Sequence, residues 1–177
     1  IILDIDTDPN TIFVVDDATS KEYTISLFLK QADIVDQETI QFAIAEGNEN
    51  QLASSDGSIF SNDITAFEGN AFLIDVIGNG LEFIVQPTTT VLGENMAPDV
   101  RVANTDENGN LDLNSVGVDV IIDSEGSLTD EPITESITSP QGYANFGNLQ
   151  HTALGFGLTL TASATGVPDI ISDEFDI

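Results

Sequence analysis

Apolar and polar residues alternate with a period of two along most of this chain, the spacing of strands that bury one face and wet the other. Leu3-Asp4-Ile5-Asp6 alternates apolar with acidic, Ile12 to Val15 is a short apolar run, and Tyr23 to Leu29 half-alternates. Ile40, Phe42 and Ile44 then sit at every second position. A helix over residues 33–45 also fits the spacing, but the β-branched and aromatic set and the stop at Glu46-Gly47-Asn48 favour a strand. Ser55-Asp56-Gly57-Ser58 carries an Asp-Gly hairpin signal. Phe72, Ile74 and Val76 predict the last strand before Gly78-Asn79-Gly80.

The second half repeats the theme. Leu81, Phe83 and Val85 alternate, Val100 and Val102 follow, and Val116, Val118, Val120 and Ile122 form the most regular stretch. Ile133 to Ile137, Tyr143 to Phe146, Leu158 to Ala164, and Ile171-Phe175-Ile177 complete the set, with turns at Asn108-Gly109 and Ser124-Glu125-Gly126. Turn signals roughly every eight to twelve residues, with about seven strands per half, predict an all-β chain of two β-sandwiches. The expected domains are residues 1–79 and 80–177, joined end to end at the short Gly78-Asn79-Gly80.

Charge narrows the possible roles. Of 177 residues 31 are Asp or Glu and 3 are Lys or Arg, a net charge of −28. Nucleic acids and anionic membrane surfaces are held through clustered cations, so both are excluded as partners. An apolar share of 41% argues against disorder. No apolar run approaches membrane-spanning length, and neither membrane insertion nor a signal segment is expected. The chain has no cysteine, so neither disulfides nor thiolate zinc can staple it; oxygen-held hard cations can. Three trypsin sites suit an exposed, long-lived extracellular chain, the alternative being an acid-rich halophile cytosolic protein. Such charge repels itself in a compact state, so salt or divalent cations are expected to stabilise the fold.

Specific stretches extend this reading. Phe83-Ile84-Val85-Gln86-Pro87 is followed by Val100-Arg101-Val102 leading into Asp106 to Asn110, then by Gly142-Tyr143-Ala144-Asn145-Phe146-Gly147-Asn148-Leu149, Gly157 to Ala164 and the closing Asp173 to Ile177. In order and spacing, residues 81–177 resemble the immunoglobulin-like modules repeated in large bacterial cell-surface proteins and adhesins. Residues 71–78 read like the last strand of a similar module. The resemblance implies tandem immunoglobulin-like β-sandwiches acting as a stalk or filament, extracellular and without enzymatic activity. The partners it implies are neighbouring copies in a tandem array or fibre. The alternatives are an adhesin module that binds a host or surface glycan or protein, with Ca²⁺ as a cofactor, and a fibre subunit that self-assembles through an edge strand such as Ile1 to Ile5. The stretch 142–149 is expected to supply a turn glycine, Phe146 as a core anchor and Leu149 as a plug at the strand end. Strand-like sequence at both ends suggests a piece of a longer repeat protein, against a small complete secreted one.

Candidate chemistry is confined to oxygen clusters. Asp4, Asp6 and Asp8 would project from one face of an extended strand, and Ca²⁺ takes about six to eight oxygens. The run is not an EF-hand, since Pro9 stands where the turn glycine belongs and Val15 holds the twelfth position. Asp16 and Asp17 could add ligands, but a solvated strand face is the favoured reading of the pattern. Asp106, Asn108 and Asn110, with Asp112, alternate oxygens around Asn108-Gly109, where a cation loop fits but a plain hairpin is favoured, Gly109 standing at the fourth position where an EF-hand has its glycine at the sixth. Asp173, Glu174 and Asp176 could meet the first cluster of a following repeat. His151, the single histidine, reads as a surface or strand-edge residue. No nucleophile, base and orienter set is present, so no catalytic residue is assigned. Without Trp, and with the ten Phe read mostly as packing, no aromatic sugar platform stands out.

Overall fold

A computed structural model describes residues 26–44, 67–125 and 127–177, and every regular element among them is a strand. These are β1 (Thr39–Ile44), β2 (Phe67–Leu73), β3 (Gly80–Val85), β4 (Val100–Thr105), β5 (Asp119–Asp123), β6 (Ile133–Ser136), β7 (Tyr143–Phe146), β8 (Thr161–Ala164) and β9 (Ile170–Ile171). They form three antiparallel sheets, ordered β1-β2, β3-β4-β7 and β6-β5-β8-β9. All belong to one compact unit from Gln31 to Ile177. Residues 26–30, in a separate unit, carry no regular structure and are exposed.

The two larger sheets share one hydrophobic core. Leu81, Phe83, Val100, Val102, Ala144 and Phe146 supply it from the three-stranded sheet, and Val120, Ile122 and Ala162 from the four-stranded one. Burial follows the alternation closely. In β5, Val120 and Ile122 point in while Asp119, Ile121 and Asp123 point out; in β7, Ala144 and Phe146 point in while Asn145 points out. Connecting segments seal the core with Met96, Leu128, Ile137, Leu149, Leu160 and Phe175. The outer face of the three-stranded sheet is polar: the guanidinium of Arg101 lies 4.8 Å from the Tyr143 ring centroid, and its Nε donates to Asn145 Oδ1 at 3.0 Å.

The smaller sheet is a different object. Ile40 pairs with Phe72 and Thr39 with Leu73. Phe72 is 62% exposed and Leu73 58%. Among the described residues no further strand or layer covers this pair, and two strands alone have little inner face to fill.

Several expectations need correction. The regular run from Val116 enters its strand only at Asp119. Gly117 takes φ +82°, Val118 N–H donates to Ser115 O, and half-exposed Val116 sits in the resulting turn. The alternation seen in the sequence therefore spans a turn and a strand. Among the described residues phenylalanine is not mainly packing: Phe83, Phe146 and Phe175 are buried, but Phe28, Phe42, Phe72 and Phe156 are exposed. The half-alternating segment ending at Leu29 forms no strand over its described part, residues 26–29. The strand expected at the C-terminal end is only Ile170–Ile171, with Phe175 returning to bridge Leu158. Most of the sandwich expected over residues 1–79, including Leu3 to Asp6, Ile12 to Val15 and the Ser55 to Ser58 turn, lies outside the described residues.

Candidate functional site

The densest polar construction in the described chain lies where three segments meet, residues 31–37, 74–79 and 104–114. Asp36 is only 2% exposed. Its Oδ1 accepts the backbone N–H of Gln37 at 2.9 Å and of Val76 at 2.8 Å, plus the Gln37 side-chain amide at 3.2 Å. Its Oδ2 accepts the Leu113 N–H at 2.8 Å. A buried carboxylate needs such donors to stay ionised. Burial pushes the Asp36 carboxyl up, but the donors from Val76, Leu113 and Gln37 together outweigh it and hold the group below its ordinary value. One side chain thus fastens residues separated by 40 and 77 positions.

The acidic loop after β4 completes this junction. Asp106 Oδ1 accepts the N–H groups of Asn108 and Asn110, both at 2.9 Å, and Oδ2 accepts the Asn110 amide at 2.8 Å. The Asn110 amide is the largest influence on Asp106 and, with those backbone donors, holds its carboxyl below the usual range against slight desolvation. Asn110 also donates to Gln31 O at 2.8 Å and accepts from Ile34 N–H at 2.9 Å. Asp112 Oδ2 accepts the Gly78 N–H at 3.0 Å, and Asn79 N–H reaches Thr105 O at 2.8 Å. Gly78 lets the Asn104 amide pack close: a Cβ there would lie 2.4 Å from it, so the amide would have to move.

Of the candidate cation ligands, Asp106, Asn108 and Asn110 share one turn, and Asp112 lies two residues on. Here the oxygens of Asp106 receive three N–H groups, so a cation would have to compete with them. Asp4, Asp6 and Asp8 lie outside the described residues. Among the described residues, no three acidic or imidazole side chains converge as a metal-ligand group. Asp36 escaped sequence reasoning because a single acid after Val35 has no local signature; its partners are distant backbone groups.

A second feature is an open cleft of about 510 Å³ along the seam of the sandwich. The turn at Thr138–Tyr143 joins β6 to β7, after which each strand enters a different sheet as an edge. Asn95, Asp130, Thr134, Glu135, Asn148 and Gln150 line the gap, and Gln150 bonds Asn95 at 2.7 Å. The cleft follows from topology, since both strand edges stay unpaired where the sheets part.

His151 corrects the expectation of a surface imidazole. It is 1% exposed, packed edge-on against Phe175 with ring centroids 5.3 Å apart. Burial lowers its pKa, opposed by the negative charge of Glu131. No family model, curated protein or solved structure matches the chain.

Proposed function

We propose that this chain is a non-catalytic structural module of an extracellular, repeat-built surface protein, serving as a spacer or filament segment alongside neighbouring copies. The observation that carries the reading is the Asp36 junction. A spacer must transmit force from one segment to the next without the segments peeling apart. A buried carboxylate with four N–H donors from three segments resists such peeling through charge-assisted, directional bonds. The seven strands β3 to β9, three facing four with connections that cross between sheets, support an immunoglobulin-like assignment. The acidic surface keeps such an array soluble and responsive to ions.

The cleft between β6 and β7 favours one further reading, a module that binds a neutral or cationic ligand through carboxamides and hydroxyls. Titrating the labelled chain with neutral oligosaccharides and Lys-containing peptides separates the two. A spacer leaves the amide resonances of residues 133–135 and 148–150 in place; saturable shifts confined to them would replace it with the binding reading.

Calcium enters as a stiffener of the acidic clusters, and melts in Ca²⁺, in EDTA, and in EDTA with NaCl of matched ionic strength test it. A midpoint raised by Ca²⁺ alone supports specific sites. An equal rise in NaCl leaves only screening of a repelling surface.

A further inference from the structure

The only imidazole in the chain occupies a place where a hydrocarbon ring would pack without penalty. Both His151 ring nitrogens are buried, and neither has a hydrogen-bond partner. A neutral imidazole carries one donor and one acceptor, so two polar atoms are left unsatisfied against the edge of Phe175. Buried polar groups are nearly always hydrogen-bonded, so a pair left unsatisfied calls for a specific explanation.

The surroundings show what such a switch would control. Gly93 N–H donates to His151 O at 3.3 Å, and Met96 N–H donates to Leu149 O at 2.9 Å, which ties down the loop between β3 and β4. Leu128 bridges to His151; Thr129 N–H donates to Gln150 O and Thr152 N–H to Ser127 O, both at 2.9 Å. Phe175 brings the C-terminal segment onto the ring. Two connections are therefore tied to the backbone of residues 149–152, and a third lies on the titratable ring itself.

The charged groups on these connections are Glu94, Asp130, Glu131, Asp173, Glu174 and Asp176, and of these Glu131 acts on the ring. Its carboxylate already closes the turn after β5 by accepting the N–H groups of Ser124 and Leu128. An imidazolium formed in place would have two donors and no free acceptor beside it. Reaching Glu131 would mean competing with the bonds that shape that turn.

We propose that His151 is an acid-operated release, a neutral core side chain whose protonation frees the 91–96, 127–131 and C-terminal connections from the sandwich. The unfolded chain takes up a proton near the ordinary histidine value of 6.5, whereas the folded chain resists it. Stability conferred by the neutral ring is therefore complete above pH 6.5 and is lost as pH falls toward the folded pKa. The folding equilibrium constant drops by up to about tenfold per pH unit in that window.

Because the chain holds one histidine, its Cε1–H gives a single resonance. The test follows that resonance in the full chain from pH 7.5 to 5, with urea unfolding of the wild type and of His151→Phe over the same range. The expected result is a ring that titrates below 6.5, a wild type that loses stability below 6.5, and a variant that does not lose it in that window. A folded ring titrating at or above 6.5 overturns the proposal. So does a variant with an undiminished pH dependence. If the variant fails to fold, the wild-type titration alone decides.

Discussion

The sandwich of β3 to β9 and the ribbon of β1 and β2 are written in the same alternating pattern, yet among the described residues only the sandwich shows a core. Phe83 and Phe146 are buried because a second sheet faces their strands; Phe42 and Phe72 alternate as regularly yet are 38% and 62% exposed. Alternation specifies a strand with two unlike faces, and burial depends on what the rest of the chain brings opposite. The segments flanking the ribbon compensate with polar anchoring, concentrated in Asp36 and Asn110. Apolar area is the main stabilising term of the sandwich, whereas directional bonds to a buried charge hold the ribbon's ends.

The comparison can be broken at the core first. Phe146→Ala should cost about 3–5 kcal/mol in urea unfolding, because the cavity opens where both sheets and Leu149 close around the ring. Asp36→Asn should cost about 2 kcal/mol, since the amide turns a donor toward N–H groups that now find an acceptor. That loss should appear as local undocking of residues 34–37 and 74–78, with the sandwich intact by near-UV circular dichroism. Acid should mimic it. Because the folded Asp36 carboxyl lies below its reference value of 3.8, its stabilisation is present above that pH and is lost as pH falls below it. The loss begins below 3.8, whereas that of His151 begins below 6.5, so a pH series of amide spectra should show the His151 transition first.

Smaller effects sharpen the contrast. Gly78→Ala should cost about 1–2 kcal/mol, unless the Asn104 amide swings clear of the new methyl group. Phe72→Ala, on the exposed ribbon, should cost about 0.5–1 kcal/mol, its cross-strand contact with Ile40 being the main loss. A Phe72→Ala effect as large as that of Phe146→Ala would mean that the ribbon has a core partner after all.

What could be read from the sequence was what is encoded locally. Gly142 adopts φ +72° in its turn, Phe146 anchors the core and Leu149 is fully buried behind it, as eight consecutive residues suggested. The strands near Leu81, Val100, Ile133 and Tyr143 fall where their alternation placed them. Features made by distance in sequence stayed hidden. Asp36 depends on backbone donors 40 and 77 residues away, and the cleft depends on β6 and β7 entering different sheets. The late start of β5 was masked because Val116 and Val118 keep the period through a turn. His151 was misplaced because its polar neighbours Gln150 and Thr152 say nothing of the Phe175 ring that covers it.

The most direct test of the polar anchor is amide hydrogen exchange at neutral pH on the wild type and Asp36→Asn, residue by residue. Protection should fall at least about tenfold at Val76, Leu113 and Gln37, whose N–H groups bond this carboxylate, while Val102 and Ile122 in the core keep theirs. Unchanged protection at Val76 and Leu113, or an equal loss throughout the sandwich, would contradict a ribbon fastened locally by one buried charge.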